Sequence, residues 1–271
     1  MGIFDFLKGK KNNSVDSVLR VNWDDTEELG IITNYKGEPL TGILYSLHDN
    51  ENLETEYEMI NGLKHGYGKF YYDDGQLRVD SIIKNGKMEG LFKSYHENGQ
   101  LEREGNFKED KGDGTFRYWY KSGQLEKEGN LKKGKEDGLW RFYHENGQLQ
   151  IESIFKNGKM EGLFKSYHEN GQLEREGNFK DGHKEGISKL YHENGQLERE
   201  EHWRDDKEEG LWKEYNENGQ LEKEGNYVNG NPHGICKHYY ENGQLKIKGE
   251  LINGHNSNGL WKCWYENGQL K

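Results

Sequence analysis

Residues 138–160 read GLWRFYHENGQLQIESIFKNGKM, and this stretch decides the fold. Residues 139–143 are rich in aromatic side chains, and residues 148–152 alternate polar and apolar side chains and include the charged Glu152, so segments 139–143 and 148–155 predict β-strands. Glu145-Asn146-Gly147 lies between them and predicts a turn, and Asn157-Gly158 predicts another turn into the following unit. The stretch therefore predicts one β-hairpin and the start of the next.

The chemistry of the first turn predicts its length. A two-residue type I′ turn needs positive φ at both central residues, and the matching unit has Ser122-Gly123, where serine suits positive φ poorly. We therefore expect a three-residue loop, a type I turn with a glycine bulge, in which Gly147 alone has positive φ. This loop predicts one face with Leu139, Arg141, Tyr143, Leu149, Ile151 and Phe155, and an opposite face with Trp140, Glu145 and Glu152. A register error of one residue would move every side chain of one strand to the opposite face.

The hairpin unit recurs every 24 residues, with 25 residues in the last unit. The turn glycines, each followed by Gln-Leu, are Gly75, Gly99, Gly123, Gly147, Gly171, Gly195, Gly219, Gly243 and Gly268. A second glycine precedes each of them by nine residues: Gly66, Gly90, Gly114, Gly138, Gly162, Gly186, Gly210, Gly234 and Gly259. A degraded copy at Gly42 and residues 49–53 precedes these nine units. Self-similarity of this kind predicts a repeat architecture.

One stretch of the chain is nearly duplicated. Residues 81–108 recur as residues 153–180, three units later, and the two copies differ only at Ile83 against Phe155. A chain that carries the same block twice is modular, and each of its units mainly contacts its neighbours.

Two columns of side chains run through the units. The aromatic column is Tyr71, Tyr95, Trp119, Tyr143, Tyr167, Tyr191, Tyr215, Tyr239 and Trp264. The leucine column is Leu77, Leu101, Leu125, Leu149, Leu173, Leu197, Leu221, Leu245 and Leu270. We expect an all-β fold, an elongated single-layer antiparallel β-meander of about ten hairpin units over residues 35–271, after an N-terminal tail and cap at residues 1–34. Cross-strand pairs such as Lys93 with Glu104 are expected to contribute roughly 0–1 kcal/mol each.

Composition and charge narrow the classes of partner. Only 31% of the 271 residues are hydrophobic but 13% are aromatic, which favours a thin structure over a disordered chain. The net charge of −11 disfavours nucleic acid as a partner and favours a basic protein. No run approaches the roughly 20 apolar residues of a membrane span, and no secretory signal is recognisable. We therefore expect a cytoplasmic protein, or one exported by a route that leaves no such signal.

The units resemble a known repeat. The pattern Gly-x-(Trp/Phe)-Lys-x-Tyr-x-Glu-Asn-Gly-Gln-Leu-x-x-x-Gly-x-(Phe/Tyr)-x-x-Gly-x-x-x-Gly is similar to the MORN-repeat variant of bacterial proteins, many of which are labelled YwqK-type antitoxins of toxin–antitoxin systems. The resemblance covers residues 35–271. It implies an array of β-hairpins that acts as a binding surface and neutralises a toxin. The MORN name also implies an association with membranes.

The sequence offers no constellation typical of catalysis. The histidine column (His48, His96, His144, His168 and His192) repeats at two-strand intervals of roughly 9.5 Å, too far apart to share a metal ion. We expect these histidines to face solvent at strand ends, and Cys236 and Cys263 to be packing thiols. The glutamate pairs repeat in every unit, whereas an active site is unique. We therefore expect no enzyme, and no catalytic, cofactor-binding or metal-binding residues.

Aromatic side chains on rigid strands are typical of binding hot spots. The residues that we predict to bind a partner are Trp140, Tyr143, Tyr167, Tyr191, Trp212 and Tyr215. The leading hypothesis is a non-enzymatic protein that binds a basic protein, as an antitoxin or immunity partner of a toxin. The alternative is a membrane-associated scaffold anchored by residues 1–11, which combine four apolar side chains with three lysines that follow them, as an interfacial peptide does.

Overall fold

A computed structural model describes residues 18–256 and 261–271 of the chain. Residues 1–11, which the sequence suggests as a membrane anchor, lie outside the described residues. The chain divides into two compact units, the first ending at Lys135 and the second beginning at Glu136. Within the described residues both units consist of β-strands and turns, with a single 3-10 turn at Trp23–Asp25. The predicted all-β class is confirmed.

The first unit is an antiparallel meander. Its strands are β1 (Arg20–Asn22), β2 (Glu27–Leu29), β3 (Ile32–Tyr35), β4 (Glu38–Pro39), β5 (Gly42–Leu47), β6 (Leu53–Ile60), β7 (Leu63–Tyr71), β8 (Leu77–Lys84), β9 (Lys87–Tyr95), β10 (Leu101–Lys108), β11 (Lys111–Gly112), β12 (Gly114–Trp119) and β13 (Leu125–Lys132). Strands β5 to β13 follow one another as a single layer of antiparallel neighbours. Strands β2 to β4 form a separate small sheet. Strand β14 (Lys135–Glu136) contains the boundary between the units.

The second unit repeats the same single-layer meander. Its strands are β15 (Gly138–Tyr143), β16 (Leu149–Lys156), β17 (Lys159–Tyr167), β18 (Leu173–Lys180), β19 (His183–Tyr191), β20 (Leu197–Arg204), β21 (Lys207–Glu208), β22 (Gly210–Tyr215), β23 (Leu221–Val228), β24 (Asn231–Pro232), β25 (Gly234–Tyr239), β26 (Leu245–Ile252), β27 (His255–Asn256) and β28 (Lys262–Cys263). The pairings between successive strands are all antiparallel. The predicted β-hairpin array is confirmed.

The N-terminal end of the first unit carries an apolar core. Strand β1 pairs in parallel with β5, which covers the edge of the first hairpin. The core beneath it consists of Val21, Leu40, Leu44, Tyr57, Met59 and Ile83, with Trp23, Tyr35 and Phe70 packed against it. Residues outside the meander contribute to this core: Leu40 directly follows β4, Tyr35 ends β3, and Trp23 lies in the 3-10 turn.

The turn chemistry is as predicted. The His144 N–H donates to the Gln148 carbonyl oxygen at 2.9 Å and the Gly147 N–H donates to the His144 carbonyl oxygen at 2.8 Å, which closes a three-residue loop. Gly147 has φ 85°. Successive hairpins are joined by two-residue turns such as Asn157 and Gly158, with φ 54° and 81°. Asparagine and glycine are the residues that tolerate this type I′ geometry best.

The predicted faces are wrong for the second strand of the hairpin. Arg141 lies opposite Glu152, and Phe142 lies opposite Ile151. The register shifts between Phe142 and Tyr143, because Leu149 and an additional residue, Gln150, both oppose Tyr143. A bulge of this kind moves every later side chain to the other face. Ile151 and Phe155 therefore share the face of Trp140, and Glu152 shares the face of Arg141.

The two faces of the meander differ in burial. We call the face of Trp140 the buried face and the face of Arg141 the exposed face. Along the middle of the buried face, large side chains on first strands lie opposite small residues on second strands: Phe92 opposite Gly105, Phe116 opposite Gly129, Trp140 opposite Ser153, Phe164 opposite Gly177 and Trp212 opposite Gly225. The Phe116 ring lies over Gly105 and the Trp212 ring lies over Gly225, and both side chains are buried. A single layer can bury such rings because glycine leaves space above its own strand.

Two glycines of this row provide a matched test. A Cβ atom on Gly225 would lie 2.8 Å from Nε1 of Trp212, whereas one on Gly177 would meet Ser188 at an ordinary 3.6 Å. We expect Gly225→Ala to lower the free energy of unfolding by about 1–3 kcal/mol through overpacking. Gly177→Ala should leave it unchanged within about 0.5 kcal/mol or raise it. Urea denaturation of the two variants measures both; equal losses would contradict the packing described for this row.

Candidate functional site

The exposed face has a central column of charged residues. Lys93 and Glu104 are 3.1 Å apart between Nζ and Oε2, so the predicted cross-strand ion pair is confirmed. In the second unit, Lys237 lies 2.6 Å from Glu224. These side chains are partly exposed, and exposed pairs contribute roughly 0–1 kcal/mol. The column therefore presents hydrogen-bonding groups at fixed intervals and adds little to stability.

A column of tyrosines lies beside the charges. The Tyr191 hydroxyl donates to Oε1 of Glu176 at 2.8 Å, and the Tyr239 hydroxyl donates to Glu224 at 2.8 Å. Burial, followed by this hydrogen bond and the charge of Glu176, raises the pKa of Tyr191 to about 12. Burial and the charge of Glu152 raise the pKa of Tyr167. The rings are held in place and stay neutral over the physiological range.

A third column on this face consists of exposed aliphatic side chains, which the sequence analysis missed. Its members in the second unit are Leu139, Leu163, Ile187, Leu211 and Ile235. Leu211 is 63% exposed. Each follows the second glycine of its repeat, so the same 24-residue recurrence that marks the turns also marks this column. On the intervening strands the residues opposite Leu163, Ile187, Leu211 and Ile235 are polar (Asn178, His202, Asn226 and Glu250), so the column is a series of separate apolar side chains at two-strand intervals. Exposed apolar side chains that recur on one face are candidates for contacts with a partner.

The six residues predicted to bind a partner fall on opposite faces. Tyr143, Tyr167, Tyr191 and Tyr215 form the tyrosine column of the exposed face, since they alternate with the buried row along their strands. Trp140 and Trp212 lie on the buried face and are 3% and 9% exposed. The structure therefore brings the four tyrosines together and separates them from the two tryptophans, which pack over Ser153 and Gly225.

Histidines at the turns tie neighbouring repeats together. Nε2 of His168 donates to the Tyr191 carbonyl oxygen at 3.0 Å, and Nε2 of His192 donates to the Tyr215 carbonyl oxygen at 3.0 Å. They are partly buried and bonded, so the expectation that they face solvent is wrong. Nε2 of His144 has no hydrogen-bond partner among the described residues.

A groove of about 610 Å³ opens at the turn edge next to His144. Among the residues that line it are His144, His168, Glu169, Glu174 and Glu193. The Ser166 hydroxyl donates to Oε2 of Glu174 at 2.9 Å, which fixes that carboxylate. Three carboxylates in one groove favour a cationic side chain as its occupant.

Sequence comparison identifies the repeat. Eight segments match the family described as "MORN repeat variant", at residues 88–109, 112–133, 136–157, 160–181, 184–205, 208–229, 232–253 and 257–271. Residues 58–77 match the family described as "MORN repeat". The chain belongs to the MORN repeat variant family. MORN repeats are generally repeats that bind proteins or membranes.

Other comparisons add little to the MORN assignment. A search of curated proteins found no match. Among solved structures, a chain of "Crystal Structure of TcdB2-TccC3-Cdc42" is 12% identical over 82% of this chain, with a TM-score of 0.20. A chain of "Crystal Structure of TcdB2-TccC3-TEV" is 11% identical over 84% of it, with a TM-score of 0.17. The MORN chain spans only 15% and 17% of the lengths of those two chains.

Cys236, one of the two cysteines of the chain, lies within the packing of the MORN repeats. Cys236 occupies the buried row opposite Gly249, and burial raises the pKa of its thiol. Within residues 18–256 and 261–271, no group of three or more His, Cys, Asp or Glu side chains is placed to hold a metal ion. The same residues include no helix long and apolar enough to cross a membrane.

The hydrogen bond between Tyr191 and Glu176 predicts that the free energy of unfolding depends on pH in the alkaline range. The pKa of Tyr191 is raised to about 12, so below pH 10 both folded and unfolded chains keep the proton. Between pH 10 and 12 the unfolded chain ionises first, so stability falls as the pH rises through this window. Glu176→Gln should move the pKa of Tyr191 towards 10, because it removes a negative charge.

Carbon-13 NMR of labelled tyrosine, assigned with Tyr191→Phe, follows this ionisation directly. Glu145→Gln is the matched control, since Glu145 lies exposed in a turn. An unchanged pKa of Tyr191 in Glu176→Gln would contradict the role assigned to this carboxylate.

Proposed function

We propose that this chain is a non-enzymatic repeat protein that binds another protein on the exposed face of its second unit. The exposed aliphatic column carries this proposal. Leu139, Leu163, Ile187, Leu211 and Ile235 lie along one side of the central charged column, and the ordered tyrosines lie along its other side. A partner that covers such a row gains roughly 1.5–3 kcal/mol for each side chain that it buries fully.

The charge of the chain supports a basic partner. The net charge is −11, and the groove at the turn edge adds Glu169, Glu174 and Glu193 within one concave site. Complementary charge speeds encounter and suppresses wrong partners, while the apolar and aromatic contacts supply most of the affinity. The tyrosines Tyr143, Tyr167, Tyr191 and Tyr215 are the proposed anchors on the opposite side of the central charges from the aliphatic column.

The basic partner that we propose is a toxin, which the chain would neutralise as a cytoplasmic antitoxin or immunity protein. The acidic charge and the resemblance of the units to those of YwqK-type antitoxins support this finer proposal. An antitoxin needs no active site, since covering the toxin is sufficient. Co-expression tests it: the chain should restore growth to cells that produce a basic toxin encoded beside it, and continued growth arrest would refute it.

The aliphatic column predicts the outcome of a binding measurement. The double variant Ile187→Ser with Leu211→Ser should weaken the affinity for the captured partner at least tenfold, because it removes two buried apolar contacts. Circular dichroism should be unchanged, since both side chains are exposed. Affinity is measured by calorimetry after capture of the partner from the native host at low salt.

Ile31→Ser is the control for this measurement. Ile31 is 84% exposed but lies outside the repeat columns, in the turn between β2 and β3, so its replacement should leave the affinity unchanged. Failure to capture any protein at low salt, or equal affinities of the double variant and the wild type, would count against the proposed face.

The alternative, a membrane-associated scaffold, depends on residues 1–11. This segment combines Ile3, Phe4, Phe6 and Leu7 with three lysines, the composition of an interfacial peptide. If it anchors the chain, the full-length protein should float with vesicles that contain anionic phosphatidylserine, and a variant that lacks residues 1–11 should not. Equal behaviour of the two proteins in flotation would eliminate this alternative.

A further inference from the structure

The two copies of the duplicated block, residues 81–108 and 153–180, are followed by different residues at matching positions, so the packing next to each copy can be compared. In the first copy, the row of the buried face continues from Phe92 to Phe116, which is 1% exposed. The ring of Phe107 lies between them, 5.3 Å from the Phe92 ring and 5.5 Å from the Phe116 ring. A Cβ atom on Gly105 would lie within 2.4 Å of the Phe116 ring, so that ring fills the space above the glycine.

The second copy lacks the last ring. Phe164 and Phe179 repeat the pair of Phe92 and Phe107, with their centroids 5.7 Å apart. The position three repeats after Phe116 is occupied by Ser188. The atoms nearest to a Cβ on Gly177, the counterpart of Gly105, would be those of Ser188, at an ordinary 3.6 Å or more. The space that Phe116 fills in the first copy is therefore not filled by the corresponding residue in the second.

A cavity of about 80 Å³ occupies this place. Its lining combines the rings of Phe164, Phe179 and Trp203 and the small residues Gly177 and Ser188 with the polar residues Arg175, Asn178, Lys184 and Glu185. The volume exceeds the roughly 10–15 Å³ that holds one water molecule, and the apolar rings offer water few hydrogen bonds. An incoming ring meets three aromatic walls, with which edge-to-face contacts form readily.

Two cations lie at the border of the cavity. The Lys184 ammonium is 4.1 Å from the centre of the Trp203 ring, which it already covers. Arg175 lines the cavity and is exposed, whereas its counterpart in the first copy, Arg103, lies over the Phe92 ring at 4.5 Å. A guanidinium group at this border favours the face of an aromatic ring over an aliphatic side chain.

We infer that the cavity at Ser188 accepts one aromatic side chain of a protein partner, in the position that Phe116 fills in the first copy. This inference rests on the proposed function, since it names a contact made by the bound partner. It places that contact on the buried face, opposite the aliphatic column, so the partner reaches both faces of the meander.

The purified full-length chain tests the cavity without any partner. The probe is N-acetyl-phenylalaninamide, titrated into isotope-labelled protein while the NMR signals of Trp203 and Phe179 are followed. We expect saturable shifts of these signals, and at least tenfold weaker binding of N-acetyl-leucinamide. No saturable shift, or equal binding of the two probes, would overturn the inference.

Variants in which a larger side chain at position 188 fills the cavity provide the second arm of the test. Ser188→Leu should abolish the shifts because its side chain occupies the space, and Ser188→Val is the smaller replacement if the leucine variant does not fold. Ser122→Leu, the same change in an exposed turn, should leave the titration unchanged. Shifts that persist in both folded Ser188 variants would refute the site. Failure of partner capture with a normal probe titration would instead refute the proposed function alone.

Discussion

A sheet of one layer has no second layer to pack against, and this constraint governs the structure. Along the row from Phe92 to Trp212, large side chains of the buried face find their cover within their own layer, over small residues on adjacent strands. The pairs Trp140 with Ser153 and Trp212 with Gly225 meet this requirement by setting a large ring opposite a residue with little or no side chain. The alternation of large and small residues therefore replaces the thick core of an ordinary domain.

The same constraint separates the roles of the two faces. Aromatic side chains that lie over glycine or serine are committed to packing, and Trp140 and Trp212 belong to this group. The opposite face keeps Leu211 and Tyr191 beside ordered charges, where they remain accessible. A substitution in the aliphatic column therefore leaves the large–small pairs of the buried face intact.

The sequence predicts the hairpins because glycine and asparagine have strong and local conformational preferences. Gly147 and Asn157-Gly158 define both kinds of turn before any tertiary contact is known. The bulge at Leu149 and Gln150 has no comparable signal, since any residue type can occupy it, and it reverses the face of the whole second strand. The four tyrosines and two tryptophans, which the sequence analysis predicts as one set of partner-binding residues, lie on opposite faces in the structure. Whether the aliphatic column is exposed depends on which face of the sheet is buried, and this could not be predicted without the position of the bulge.

Exceptions in a repeat are informative because the other copies show what the position requires. Ser188 breaks the rule of large first-strand residues, and its partner across the strands is Glu201 instead of glycine. The Glu201 carboxylate is held by Arg199 at 2.7 Å and accepts a hydrogen bond from the Trp203 indole at 3.0 Å. Polar contacts thus support the row on one side of Ser188, while the side facing Gly177 stays open. If a packing ring were lost and nothing replaced its contacts, the meander would only be destabilised. At Ser188 the polar contacts of Glu201 support the row on one side, so the loss of the ring leaves a defined cavity in a folded array. A binding site requires such a cavity.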